Sequence, residues 1–500
     1  MRKVIICLFS TVILISSCSD DLLDENPPNV IYAENLYSDL SGLEAGINGL
    51  YSLMRYEREG LNASSSLITD VTMSGTDMFA ANHSGNGVSR VSVDWNERNK
   101  PDYDVYEGVF LWLYEIVNSS NEIIKNVEER SDIDWSGNEL SEMENKDLIL
   151  AEARVARAFA YRHLSYLWGD VPLNLNPSSD GIIRTDWERT PVEEVRRQVV
   201  KDLLFAEPII PEEGSLTGRI TKGAVQHYLA EIYLTLNKPD STLFWSDKVV
   251  NNPAYALITQ RYGVQADQDG VAFMTADRGG YGNGRSSLTK WALDNFDDPN
   301  DDRFSEYAIR KAFTYRDAAG NAPYPADNLP EGANYGDKIF LDWSEDITDD
   351  HNGIEEWPFS RKYDWADPID PIGNRESFYD QIYLRAADTY LLKAEAEFRL
   401  GNTAAAANTI NILRARSHAF NITAGDIDID FILDERAREL MVEEPRRYTL
   451  LRTGKWAERT MKYNNRGSDT IDPQRDILLP IPQSVIDSNL EKEMPQNPGF

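Results

Sequence analysis

Five hundred residues, 41% of them hydrophobic, suffice to bury a sizeable core without cross-links, and the two cysteines, Cys7 and Cys18, both lie at the N-terminal end. Fifty lysines and arginines stand against 83 aspartates and glutamates, a formal charge of −33 that repels nucleic acid and anionic lipid and favours neutral or cationic ligands. The acids are scattered, as on a solvated surface, and past Cys18 no apolar run approaches the roughly 18 residues of a membrane-spanning helix.

In chain order, Arg2 and Lys3 precede the apolar stretch Val4 to Ile15 and the small residues Ser16 and Ser17, a secretory signal too short to span a bilayer. The run Ile15-Ser16-Ser17-Cys18 resembles the bacterial lipobox, whose cysteine is acylated before the signal is cleaved. Residues 1–17 are therefore expected to be a signal peptide and Cys18 the lipid attachment site. Cys7 would leave with the signal, so the mature chain would form no internal disulfide, and loss of Arg2 and Lys3 takes its charge to −35. Each buried acyl methylene contributes about 0.8 kcal/mol, so two or three chains are needed for a permanent hold. Ser19-Asp20-Asp21 resembles the acidic tag of lipoproteins carried to the outer face of the outer membrane. Residues 18–40 are expected to form the lipidated N-terminus and tether, and 41–500 a single domain.

Helical spacing of Leu43, Ile47, Leu50 and Met54 predicts a first helix over 41–56. Val109, Leu113, Ile116, Ile123 and Val127 predict a second over 106–127, and Leu148, Ala151, Val155, Ala158 and Phe159 a third over 147–168. Thr190 as cap and Pro191 at the first helical position predict a fourth, ending at Glu207. Residues 221–236 and 241–251 read as a helix pair around the turn Asn237 to Asp240. A similar pair spans 381–400 and 404–417 around Gly401-Asn402-Thr403. Tyr228-Leu229-Ala230-Glu231 and Tyr390-Leu391-Leu392-Lys393-Ala394-Glu395 give both pairs a degenerate tetratricopeptide (TPR) look. The fold class is thus mainly α. Its helical scaffold covers about 41–251 and 380–500 and carries a loop-rich insertion over about 252–379. Binding residues concentrate in loops on a rigid frame, so the insertion and the loop region 67–103 are where function is expected.

Four stretches in order resemble the SusD/RagB family of nutrient-binding outer-membrane lipoproteins. They are Ala151-Glu152-Ala153-Arg154-Val155-Ala156-Arg157-Ala158 continuing to Leu167-Trp168-Gly169-Asp170-Val171-Pro172-Leu173; Leu384 to Ala396; Asp434-Glu435-Arg436-Ala437-Arg438-Glu439-Leu440 with Arg446-Arg447-Tyr448; and Leu479-Pro480-Ile481-Pro482 with Gln496-Asn497-Pro498-Gly499-Phe500. Trp168 and Phe500 stand where the family usually has tyrosine. The resemblance implies TPR-like hairpins in a right-handed superhelical scaffold, packed against a SusC-like TonB-dependent transporter, with loops that capture a nutrient. That nutrient is usually a glycan and in some relatives an oligopeptide. The resemblance further implies a protein that binds and hands over without catalysis, with no cofactor beyond the lipid on Cys18. It makes Arg154, Glu395, Arg438 and Arg446 structural charges.

Sugar rings present apolar C–H faces between hydroxyls, so a glycan site needs an aromatic face flanked by hydrogen-bonding groups. Of eleven tryptophans, Trp112 and Trp168 fit the core pattern, whereas Trp95, Trp291, Trp343, Trp357 and Trp365 lie in polar loop sequence, where exposure is expected. The candidates for ligand contact are Trp95, among Asp94, Asn96 and Glu97; Asp77 in the same loop region, with His83 nearby; Tyr281 in a glycine cluster; and Trp291. For Trp95 the alternative is a loop staple.

The glycine cluster around Tyr281 lacks the Gly-Lys-Ser/Thr ending of a phosphate loop. Asp297-Asp298-Pro299-Asn300-Asp301-Asp302 offers oxygens to calcium but lacks the spacing of an EF-hand, so an ordinary solvated loop is expected. The five histidines form no HExxH, and no Gly-x-Ser-x-Gly elbow appears. With 83 acids a glycosidase-like carboxylate pair can always be picked, so a surface hydrolase stays open as an alternative.

Overall fold

The computed structural model describes residues 36–59, 68–81, 88–178, 184–214, 216–257, 286–315, 329, 331–348, 357–362 and 382–500. Cys18, His83, Tyr281, Trp365, the signal peptide and most of the tether lie outside them.

The first helix, α1 (Leu40–Glu59), buries Leu40, Leu43, Ile47 and Leu50 along one stripe, as the spacing requires. Helices α2 (Asp104–Glu129) and α3 (Glu142–Leu167) follow. The start of α3 is set by a capping box that sequence reading missed: Ser141 Oγ accepts the Glu144 amide while the Glu144 carboxylate accepts the Ser141 amide. From Ile149 onward α3 is buried almost all round, because α1, α2 and α4 (Val192–Ala206) pack on it. Its alanines allow that approach, and its arginines pin the neighbours. Arg157 forks onto Asp202 of α4 at 2.7 and 2.9 Å. Arg162 forks onto Glu231 of α5 (Lys222–Thr235) at 2.8 and 2.9 Å, and Arg154 reaches Glu128 of α2 at 2.7 Å.

The start of α4 differs from expectation. Pro191 is the residue before the helix, with φ −52° and ψ 136°, and Thr190 pairs its backbone with Val171 instead of capping. The Val192 amide is taken by Asp170 Oδ1 at 2.7 Å, so the cap comes from the preceding loop.

The predicted helix pairs are α5 with α6 (Pro239–Val250), and α7 (Ala386–Arg399) with α8 (Thr403–Arg416). Asn237 (φ 54°) and Gly401 (φ 78°) supply the left-handed residues that reverse the chain in the two turns. Pro239, expected in the turn, is the first residue of α6. Successive helices contact one another from α2 through α8, with α7 against α6, so hairpins far apart in sequence stack into one mainly α scaffold. Helices α9 (Ile429–Glu439), α10 (Arg446–Arg452) and α11 (Trp456–Tyr463) complete it. The C-terminal stretch clamps the end of α3: Trp168 Nε1 donates to the Pro480 carbonyl, and Asn497 Nδ2 to the Trp168 and Leu479 carbonyls.

The insertion contributes short antiparallel pairs. Strand β1 (Phe79–Ala81) joins β2 (Ser286–Leu288), with Phe79 opposite Leu288. Strand β3 (Ile309–Arg310) joins β6 (Phe359–Ser360), and β4 (Ala312–Thr314) joins β5 (Lys338–Phe340). A second apolar core beneath them gathers Met78, Phe79, Leu288, Leu293, Phe296 and Trp357 with Met441 from the α9–α10 loop. The β1–β2 pair thus joins the two regions singled out for function. Among the described residues no helix is long and apolar enough to cross a membrane.

Candidate functional site

The β1–β2 pair carries the chain into a short helix, Lys290–Asp294, whose first residues are positioned by Thr289. Its hydroxyl donates to the Asp77 carbonyl at 2.6 Å and accepts the Ala292 amide at 3.1 Å, and its amide donates to the Met78 carbonyl. Trp291 on that helix is partly buried and stacks on Tyr463, the last residue of α11, with ring centroids 4.8 Å apart and planes at 26°. Asn464 fixes that end of α11 by donating to the Thr76 and Phe79 carbonyls. Arg459, one turn before Tyr463, places its guanidinium 4.8 Å from the Trp291 ring centroid and 5.1 Å from that of Tyr463. The exposed Lys462 brings its ammonium 4.7 Å from the Tyr463 ring. The result is a partly exposed aromatic stack beside cations, a surface suited to apolar ring faces and hydroxyls.

Asp77, expected to face a ligand, is instead fully buried and held by two arginines. Arg446 forks onto it at 2.9 and 2.7 Å, and Arg459 Nε donates to it at 2.7 Å. Burial pushes its carboxyl up, but Arg446 and Arg459 together outweigh burial and hold it below the usual range. Trp95 is also corrected. It is 4% exposed, meets Trp456 edge-on at 5.3 Å, and lies 5.3 Å from the Arg447 guanidinium. Its polar neighbours serve the backbone: Asp94 caps the short helix Trp95–Arg98 by accepting the Glu97 amide. Trp95 is therefore a core staple. Trp357, expected in an exposed loop, is buried and donates to the Leu288 carbonyl at 2.8 Å, whereas Trp343 is partly buried.

Among the described candidates Asp77, Trp95 and Trp291, Trp291 is the one that stays partly exposed. Tyr463 and Arg459 were missed by sequence reading; their four-residue spacing on α11 was the available signal. Arg446, Glu395 and Arg438 are buried, and Arg154 is partly buried in its pair with Glu128.

The acidic run 297–302 is occupied by the protein itself. Asp298 accepts the Asn300 and Phe420 amides, Asp301 binds Arg303, and Asp302 lies 2.8 Å from His418 Nδ1. Among the described residues no three His, Cys, Asp or Glu side chains gather as metal ligands. A cavity of about 40 Å³ is lined by Glu57, Arg162, Tyr228, Tyr383 and Glu443, among others. At roughly 10–15 Å³ for each water it has room for a few waters.

Two family models divide the chain between them: one described as "Starch-binding associating with outer membrane" matches residues 21–234, and one described as "SusD family" matches 257–500. Among curated proteins, "SusD-like protein P2" of Formosa agariphila is 24% identical over the full length of both chains, and "SusD-like protein P25" of the same organism is 25% identical over 96% of each. Among solved structures, a SusD superfamily protein from Bacteroides vulgatus superposes with a TM-score of 0.71 at 16% identity, covering 93% of this chain and all of that one. A laminarin-binding SusD-like protein superposes with a TM-score of 0.67 at 20% identity, again over 93% and 100%. The stacked hairpins, the clamped C-terminal motif and these matches along both halves agree: the chain belongs to the SusD family.

Proposed function

We propose that this protein is a lipid-anchored, outward-facing component of the outer membrane that binds a glycan and passes it, uncleaved, to a partner SusC-like TonB-dependent transporter. The observation that carries the glycan reading is the partly exposed stack of Trp291 on Tyr463, because an aromatic face is what the C–H face of a sugar requires. The family description for residues 21–234 and the laminarin-binding neighbour support the same ligand class. That description also supports association with the outer membrane. The anchor at Cys18 rests on the lipobox resemblance, and the transporter on family membership.

The test is retention of the mature chain on soluble starch and on laminarin, with Trp291→Ala and Tyr463→Ala alongside. We expect retention by the native chain and its loss in both variants. Sugar release without retention would replace binding by hydrolysis. Capture of cationic oligopeptides but of no glycan would favour the peptide alternative, which the charge of −33 would suit.

A further inference from the structure

We propose that Arg459 is the positioning residue of the Trp291–Tyr463 stack, held in register from the core by Asp77; this rests on the stack being the ligand site. Each nitrogen of the Arg459 guanidinium has a carboxylate partner: Nε donates to Asp77 at 2.7 Å, Nη1 to Asp430 at 2.8 Å and Nη2 to Asp434 at 2.5 Å. With those donors engaged, the ring-facing surface of the guanidinium is left for Trp291 and Tyr463. Arg459 therefore orients the rings from the side of the core.

The register comes from Asp77. Its two oxygens are shared between Arg446 and Arg459, and Arg446 is fixed in turn by the Leu433 carbonyl and by Glu444. Four segments thereby converge on one guanidinium: the loop before β1, the short helix carrying Trp291, α9 with Asp430 and Asp434, and α11 itself. A lysine at 459 would keep the charge but lose the planar fork that meets three carboxylates and two rings at once.

The test uses the mature chain labelled with 5-fluorotryptophan, the Trp291 resonance being assigned by its loss in Trp291→Phe. We expect Arg459→Met and Arg459→Lys each to shift that resonance, and Arg459→Met to weaken laminarin or starch retention roughly tenfold, the scale of a desolvated cation–π contact. Asp430→Asn removes the charge of one partner at the partly exposed edge and should shift the resonance in the same direction by less. If Arg459→Met fails to fold, Asp430→Asn decides. An unchanged Trp291 resonance in the folded variants overturns the proposal, as does unchanged retention by Arg459→Met when Trp291→Ala abolishes it. If Trp291→Ala itself retains glycan like the native chain, the glycan site is what fails, and the resonance alone judges the role of Arg459.

Discussion

Asp77 and Arg446 are 369 residues apart in the chain and meet as a fork in which neither side chain is exposed, with Nε–Oδ1 2.9 Å and Nη2–Oδ2 2.7 Å. The pair ties the loop before β1 to α10. Removing one partner leaves the other charge buried and uncompensated, which costs about 3–5 kcal/mol. Arg446→Ala should therefore lower the urea unfolding free energy by several kcal/mol. Asp77→Ala should do the same while leaving two facing arginines. A loss below about 1 kcal/mol in either would show that the pair is not a structural tie.

The two tryptophans that looked alike in sequence should separate. Trp95→Ala empties a packed core position and should cost about 3–5 kcal/mol of stability. Trp291→Ala, at a partly exposed position, should leave the unfolding midpoint near native and weaken glycan retention. Thermal melts and retention on laminarin or starch, run on both variants, check the split; equal effects on both measurements would contradict it.

Acid should remove the stability that the buried carboxylates of α9 contribute. Burial alone would raise the Glu435 carboxyl, but Arg303, Arg438 and Arg414 outweigh it and hold it at about 2, against an ordinary 4.5. Because the folded value lies below the unfolded one, the contribution is complete above pH 4.5 and disappears as pH falls toward 2. Glu439 is depressed in the same direction by Arg385, Arg416 and Arg303, again against burial. Urea midpoints should fall steadily below about pH 4.5, and Glu435→Gln should flatten part of that fall. A midpoint constant down to about pH 3 would rule this out.

The membrane attachment proposed for Cys18 predicts that Cys18→Ala moves the protein from the membrane fraction to the soluble fraction, since the Cys18 thiol would be the site of lipid attachment. Detergent-resistant retention of the variant in membranes would reject the lipobox assignment.

Much of the scaffold was legible because helices announce themselves locally. The stripe of Leu43, Ile47 and Leu50 and the glycine at 401 each act within a few residues of themselves. The start of α4 was misplaced because its cap, Asp170, reaches in from another segment. At the candidate site the same limit cost more. The polar neighbours of Trp95 looked like ligand contacts, yet Asp94 caps a short helix and the ring turns inward onto Trp456. Nothing near Asp77 in sequence reveals that its partners lie 369 and 382 residues away.

What the sequence by itself determined is the mainly α class, the hairpin pairs and the family. These follow from short-range periodicity and from ordered motifs. Only the tertiary structure decided which aromatic residue stays at the surface and which becomes core. Exposure depends on what arrives from distant segments: Trp456 covers Trp95, whereas Tyr463 and Arg459 reach Trp291 and leave it partly open.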